Sequence, residues 1–333
     1  MTIEMVKTAT HHRTISRELA HRCAVSEVFV TSLDSLGADE FVVGAQLPRM
    51  HAYYGDHAGH LGVRYDPLLV MEAARQAALA LTHEFYGVPP EVAFIVRTFN
   101  GTGGDTAAWQ IDTAPANLVM KVRVPRRHHS GETLIGLDMV LEIDGAAESM
   151  MTVDGSFSWT TPQRWSALRS AFRESLGLGR VVGATARTER APCAAVGREN
   201  WRNVVIGSPR LAGGTAHALL TPDLGHPVLF DHQLDHVPGS LLIEACRQTA
   251  LAMVVRPLPR LECVASSFER FVELDRPAEC VAEITGSQAD RTVVHCEIRQ
   301  CGEVAAQVDL EFAENELVAD PPRAGAKLGM DGV

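Results

Sequence analysis

Two stretches of this chain place polar groups with chemical potential on otherwise apolar helices. In Pro238-Gly239-Ser240-Leu241-Leu242-Ile243-Glu244-Ala245-Cys246-Arg247-Gln248-Thr249-Ala250-Leu251-Ala252, three polar groups, Glu244, Arg247 and Gln248, fall at i, i+3 and i+4 and share one helix face. The remainder is apolar on most sides, the pattern of a buried helix. A carboxylate and a guanidinium in such a place are costly unless paired or put to use. Earlier in the chain, Asp66-Pro67-Leu68-Leu69-Val70-Met71-Glu72-Ala73-Ala74-Arg75-Gln76-Ala77-Ala78-Leu79-Ala80 repeats the pattern, with Glu72, Arg75 and Gln76 in the matching places. The triple suits proton abstraction by a carboxylate whose pKa burial should raise. A planar guanidinium fork beside it suits a phosphate or an oxyanion, and the amide suits a carbonyl. The plain alternative is an ion pair along one helix. Two copies of the same triple favour use.

A repeat of this kind decides the architecture. Strand-like runs flank each helix. Val25 to Thr31 and Glu40 to Leu47 precede the first, and Val92 to Phe99, Leu118 to Val124, Leu134 to Ile143 and Ser149 to Trp159 follow it. Arg198 to Ile206 answers Arg22 to Val30, and His217 to Leu220 is short and β-like. Leu261 to Leu274, Cys280 to Thr285, Thr292 to Arg299 and Val304 to Phe312 complete the second copy. Asp66 and Pro67 are a good cap and first residue for the first helix, and Gly87 to Pro90 ends it. One helix wrapped by a curved antiparallel sheet satisfies this order in each copy, an α+β fold. The expected organisation is a loose leader over 1–20, a first repeat over 21–162, a connecting helix and linker over 163–197, a second repeat over 198–315 and a disordered tail over 316–333.

The bulk numbers bound the function. The 333 residues suffice for two domains, and 46% hydrophobic with 21% charged residues is the balance of a globular protein. A net charge of -11 argues against a nucleic-acid binder. No signal peptide and no membrane-spanning run are expected. The 7 cysteines are scattered without a C-x-x-C pair, which fits the cytoplasm and neither a zinc site nor a disulfide framework.

Phe230-Asp231-His232-Gln233-Leu234-Asp235-His236-Val237-Pro238-Gly239 leading into Glu244 resembles the hotdog motif of β-hydroxyacyl-carrier-protein dehydratases, although His232 stands two positions nearer the glutamate than in that pattern. The chain as a whole is more similar to the A-factor biosynthesis (AfsA-type) family, which carries two hotdog repeats. The shared features are Pro48-Arg49 to His51, Asp66-Pro67-Leu68-Leu69 to Arg75-Gln76, Phe85-Tyr86-Gly87-Val88-Pro89, and Asp235-His236-Val237-Pro238-Gly239 to Arg247-Gln248, spread over roughly residues 20–315. The resemblance implies a tandem hotdog fold. It further implies transfer of a β-ketoacyl group from acyl carrier protein to the hydroxyl of dihydroxyacetone phosphate or a similar C3 phosphate, on the way to a γ-butyrolactone or butenolide signalling molecule.

Such a transfer needs a base, donors for the oxyanion and phosphate, and an apolar slot. It needs no metal and no cofactor beyond the phosphopantetheine that carries the acyl donor. The residues assigned to it are Glu244 first, Glu72 as its counterpart and His232 for proton transfer. Arg247, Arg75, Gln248, Gln76 and Gly239 are assigned to substrate binding. His60, placed like His232, is a further candidate. His51 and His226 read equally as packing groups, and His236 as a support for the turn before the helix. Cys246 reads as a small buried residue. The basic stretch Lys121 to His129 reads as a solvated strand and turn or as a dock for an anionic carrier protein. Competing readings are a hotdog dehydratase or thioesterase and a non-catalytic acyl-ligand binding module.

Overall fold

The computed structural model describes residues 8–104, 106–146, 148–179, 189–254, 259–288 and 290–313. Three helices and one antiparallel sheet make up the fold. The helices are α1 (Pro67–Tyr86), α2 (Pro162–Ser175) and α3 (Gly239–Leu251). In the first copy the strands are β1 (Val30–Gly37), β2 (Glu40–Leu47), β3 (Ala93–Gly103), β4 (Ala116–Ser130), β5 (Thr133–Gly145) and β6 (Glu148–Thr160). The second copy contributes β7 (Arg210–Ala212), β8 (Thr215–Leu219), β9 (Arg260–Phe268), β10 (Ala278–Gln288), β11 (Arg291–Gln300) and β12 (Glu303–Ala313). The 12 strands run in the order β1-β2-β4-β5-β6-β3-β9-β12-β11-β10-β8-β7.

The two halves of the sheet meet at β3 and β9, where Thr98, Gly101 and Thr102 lie opposite Ser267, Val264 and Cys263. Side chains reinforce this short seam. Ser266 N donates to Asn100 Oδ1 at 2.9 Å, and Ser266 Oγ donates to the Phe99 carbonyl at 2.5 Å. Along β4, Leu118, Met120, Val122 and Val124 are buried and alternate with Lys121 and Arg123 on the exposed side. That period of two turns one face of the sheet inward onto a helix. α1 packs on β1, β2, β3 and β6, and α3 packs on β8, β10, β11 and β12.

The helix ends follow local chemistry. Asp66 Oδ1 accepts from Leu68 N at 3.0 Å, Pro67 occupies the first turn, and Gly87 closes α1 at φ +66°, a conformation that favours glycine. α3 starts after Pro238, which offers no side-chain cap.

The segment leading into each copy is more turn than strand. Val25 to Thr31 is a 3-10 turn over Val25–Glu27 followed by β1, and Arg198 to Ile206 holds a 3-10 turn over Trp201–Asn203. In both places the helix glutamine captures the backbone. Gln76 Oε1 accepts from Phe29 N at 2.8 Å, and Gln248 Oε1 accepts from Val205 N at 2.9 Å. Residues 8–20, expected to be loose, are tied to β1: Ile15 N donates to the Val30 carbonyl and Thr31 Oγ1 to the Thr10 carbonyl. Within the expected linker, α2 is anchored on the second repeat by the buried Arg169 and Arg173. Residues 180–188 of that linker and the tail 316–333 lie outside the described residues.

Candidate active site between the repeats

Each helix glutamate is clamped by two arginines. Glu72 pairs with Arg75 one turn on (2.8 Å) and with Arg22 (2.5 Å), and Gln76 Nε2 donates to it at 2.8 Å. Glu244 pairs with Arg247 (2.9 Å) and Arg198 (2.7 Å), and Gln248 Nε2 donates to it at 2.5 Å. Arg22 and Arg198 occupy matching places in the two copies. Both reach across the seam: Arg22 Nη1 donates to the Val228 carbonyl (3.2 Å), and Arg198 Nη1 to the carbonyls of Tyr53 (2.8 Å) and Asp56 (2.9 Å). Loops cross reciprocally as well. Asp231 accepts from Cys23 N and Asp56 accepts from Asn200 N.

The histidine loops obey the same symmetry. His51 Nδ1 accepts from the N–H groups of Tyr53 and Tyr54, and His226 Nδ1 from those of Val228 and Leu229. Both imidazoles thus hold turns.

The expectation of a raised glutamate pKa is overturned. Burial alone pushes the Glu72 carboxyl up, but Arg22 and Arg75 outweigh it and hold it at about 2. Glu244 is likewise buried, and Arg198 and Arg247 hold it below the ordinary carboxylate range. Both carboxylates stay ionised at neutral pH and are poor proton acceptors. Their amide neighbours are committed too: Gln76 and Gln248 spend their donors on Glu72 and Glu244 and on the Glu27 and Asn203 carbonyls.

Asymmetry enters at the helix N-termini. Asp66 of α1 corresponds to Pro238 of α3. Asp66 receives Arg247 Nη1 at 2.8 Å and His57 Nε2 at 3.0 Å, and Arg247 and His57 hold it well below the carboxylate range against burial. Arg247 is thereby fully engaged, its side chain 6% exposed, whereas that of Arg75 is 33% exposed. Around Arg247 and Arg198 there is room for only about 50 Å³.

At Glu72 the two repeats enclose a cavity of about 490 Å³. Met71 and Leu79 of α1 and Met139, Leu141 and Phe157 of the first half-sheet supply its apolar walls. Arg22, Glu72 and Arg75 line it from the first copy, and Asp231, His232 and His236 from the loop before α3. His232 is about half exposed, its Nδ1 3.6 Å from Asp231. Gly239 lines the same cavity, and a Cβ there would meet the Phe268 ring at 3.2 Å. His21 stacks on His83, with ring centroids 5.0 Å apart, and its Nε2 lies 2.8 Å from His83 Nε2. Burial, with His83 beside it, presses His21 down to about 4.

Glu72, Arg75, His232 and Gly239 are therefore brought together at one cavity, with Gln76 bracing Glu72 from the side. Glu244, Arg247 and Gln248 form a separate, closed cluster. The His60 side chain lies outside the described residues. Sequence reasoning missed Arg22 and Arg198, although an arginine at the same place in both copies was a readable signal. Several cations of the basic strand are paired with neighbouring acids. Lys121 pairs with Asp144, Arg127 with Asp39 and His128 with Asp138, while Arg123 lies opposite Glu40. Cys246, Cys280 and Cys296 are buried with their sulfurs within 4.8 Å of one another, and they line neither cavity.

Two buried helices, each wrapped by half of one continuous antiparallel sheet, with reciprocal arginine clamps at the junction, define a double hotdog protein. A protein of Lactobacillus plantarum described as an oleoyl thioesterase shares this fold, with a TM-score of 0.52 over 84% of the present chain and 99% of that one, at 12% identity. The chain belongs to the A-factor biosynthesis hotdog domain family, whose model matches residues 3–160 and 182–313. A 2-oxo-3-(phosphooxy)propyl 3-oxoalkanoate synthase of Streptomyces virginiae is 34% identical over 85% of this chain and 96% of its own. One of Streptomyces coelicolor is 30% identical over 85% of this chain and 87% of its own. Among the described residues no helix is long and apolar enough to cross a membrane.

Proposed function

We propose that this chain transfers a β-ketoacyl group from acyl carrier protein to the hydroxyl of dihydroxyacetone phosphate, giving the phosphorylated ester that cyclises to a butenolide phosphate. The product class is that named for the Streptomyces relatives. The observation that carries the reading is the cavity at Glu72. It has apolar walls and room of about 490 Å³, and a partly exposed guanidinium, Arg75, lines it. Arg75 and Arg22 polarise the thioester carbonyl and hold the phosphate. Glu72, ionised, fixes the two guanidiniums in place. The closed cluster at Glu244 stabilises the repeat interface and leaves catalysis to the first site. The reaction belongs to the cytoplasm, where carrier protein and triose phosphates are found.

The test is a product assay with the purified chain, a β-ketoacyl carrier protein and dihydroxyacetone phosphate, read by mass spectrometry. A phosphorylated ester that requires the acceptor supports the reading. Free acid or a dehydrated acyl group, formed with or without acceptor, replaces it by a thioesterase or a dehydratase. Bound but unaltered thioester makes the chain an acyl-ligand binding module.

A further inference from the structure

We propose that His236 is the group that takes the proton from the attacking hydroxyl, with Asp235 and Arg169 as its positioning residues. The inference rests on the acyl-transfer reading and deepens it. His236 lines the large cavity, and its Nδ1 lies 2.7 Å from Asp235 Oδ1. The other oxygen of Asp235 accepts from Arg169 Nε at 3.1 Å, and Arg169 Nη2 donates to the Asp235 carbonyl at 3.0 Å. Arg169 is itself fixed by Glu273, at 2.7 and 3.0 Å, and Glu273 also receives Arg173. The connecting helix α2 thus clamps the histidine loop through buried charge. Trp165 of α2 and Phe271 flank the imidazole, with ring centroids 5.7 and 5.2 Å away.

This arrangement selects a tautomer. Burial pushes the Asp235 carboxyl up, but its bond to His236 and the charge of Arg169 prevail and hold it at about 2. An ionised carboxylate only accepts, so in the neutral ring His236 Nδ1 carries the hydrogen and Nε2 the lone pair. A base, oriented by a third group and bordering a substrate-sized cavity, is the arrangement general-base catalysis requires.

Other acceptors on the cavity wall are less suited. Glu72 is held at about 2 by two arginines. His21 is held at about 4 and spends Nε2 on His83. His232 has no orienting bond among the described residues, its Nδ1 standing 3.6 Å from Asp231.

The acceptor O–H proton passes to His236 Nε2 as the oxygen bonds to the thioester carbon, giving a tetrahedral oxyanion beside Arg75. Collapse of the oxyanion breaks the C–S bond. The imidazolium returns the proton to the departing sulfur, leaving an ester and the free phosphopantetheine thiol.

The experiment uses the full chain with β-ketoacyl carrier protein and dihydroxyacetone phosphate, and compares wild type with His236→Ala, His236→Gln and Asp235→Asn. Circular dichroism and retained carrier-protein binding establish the fold, and the near-isosteric glutamine variant serves if alanine unfolds the loop. His236→Ala and His236→Gln should each lose about 10²-fold or more in kcat with little change in KM. Added imidazole should restore part of the His236→Ala rate, and Asp235→Asn should lose about tenfold or more by favouring the other tautomer. If wild type forms ester and either folded His236 variant stays within threefold, the assignment is overturned while acyl transfer stands. A loss in His236→Ala that imidazole does not lift makes His236 a packing group between Trp165 and Phe271 and also overturns it. If wild type forms no ester at all, the acyl-transfer reading fails and takes this assignment with it.

Discussion

The clusters around Glu72 and Glu244 are built from the same parts and differ in what lies at the next helix N-terminus. At Glu244, Asp66 supplies a second carboxylate to Arg247, and the site is sealed. At Glu72 the corresponding position is Pro238, Arg75 has no second acid among the described residues, and it lines a large cavity. A single acid separates a closed ion cluster from one that borders a cavity. The Glu-Arg-Gln triple and its clamping arginine are present in both, so the triple alone does not identify function.

The largest expected effect is on turnover. Arg75→Ala should lower kcat about 10²-fold, the usual consequence of removing one oxyanion donor, while Arg247→Ala should leave the kcat of the folded protein within about threefold. Steady-state ester formation distinguishes them, and equal losses would break the comparison. Stability should show the reverse order. Glu244→Ala takes from the buried Arg198 its ion-pair partner among the described residues and from Arg247 one of its two carboxylates, and should cost about 3–5 kcal/mol. Glu72→Ala should cost less, because Arg75 can turn to water. Urea melts of the two variants measure this, and a larger loss at Glu72 would contradict it.

Acid should weaken both clusters in sequence. His21 and His226 are held at about 4, His21 by burial with His83 and His226 chiefly by burial, against an ordinary 6.5. Below pH 6.5 the unfolded chain therefore binds protons that the folded chain does not, and stability falls as pH drops from 6.5 to about 4. Glu72, at about 2 against an ordinary 4.5, contributes fully above pH 4.5 and loses its contribution as pH falls toward 2. Urea midpoints between pH 7.5 and 4.5 should decline, with a shallower slope in a His21→Gln/His226→Gln double variant. The smallest effect is expected far from both clusters. Asp39→Asn removes the partly exposed pair with Arg127 and should cost no more than about 1 kcal/mol, with ester formation unchanged.

Much of this was legible in the sequence, for identifiable reasons. α1 and α3 announce themselves by apolar periodicity, and the eight strands after them by alternation, because each follows from one buried face. The Glu-Arg-Gln triples were equally visible. What could not be read was competition between them. Spacing along a helix says that Glu244 and Arg247 are neighbours, but not that Asp66 closes on them from the other copy. Glu244 was accordingly ranked above Glu72. Val25 to Thr31 and Arg198 to Ile206 have strand-like composition, yet Gln76 and Gln248 take their N–H groups. The raised pKa expected of both glutamates failed because Arg22 and Arg198 arrive from distant sequence. The tie between Asp235, beside His236, and Arg169 of α2 likewise joins residues far apart in sequence.

The seam between β3 and β9 has an evolutionary consequence. Where two separate copies of one hotdog unit assemble, every substitution is written twice, and both clefts change together. Here a single polypeptide carries both units, so a mutation at Asp66 has no obligatory echo at Pro238. Duplication followed by fusion leaves one cleft free to close while the other keeps its opening.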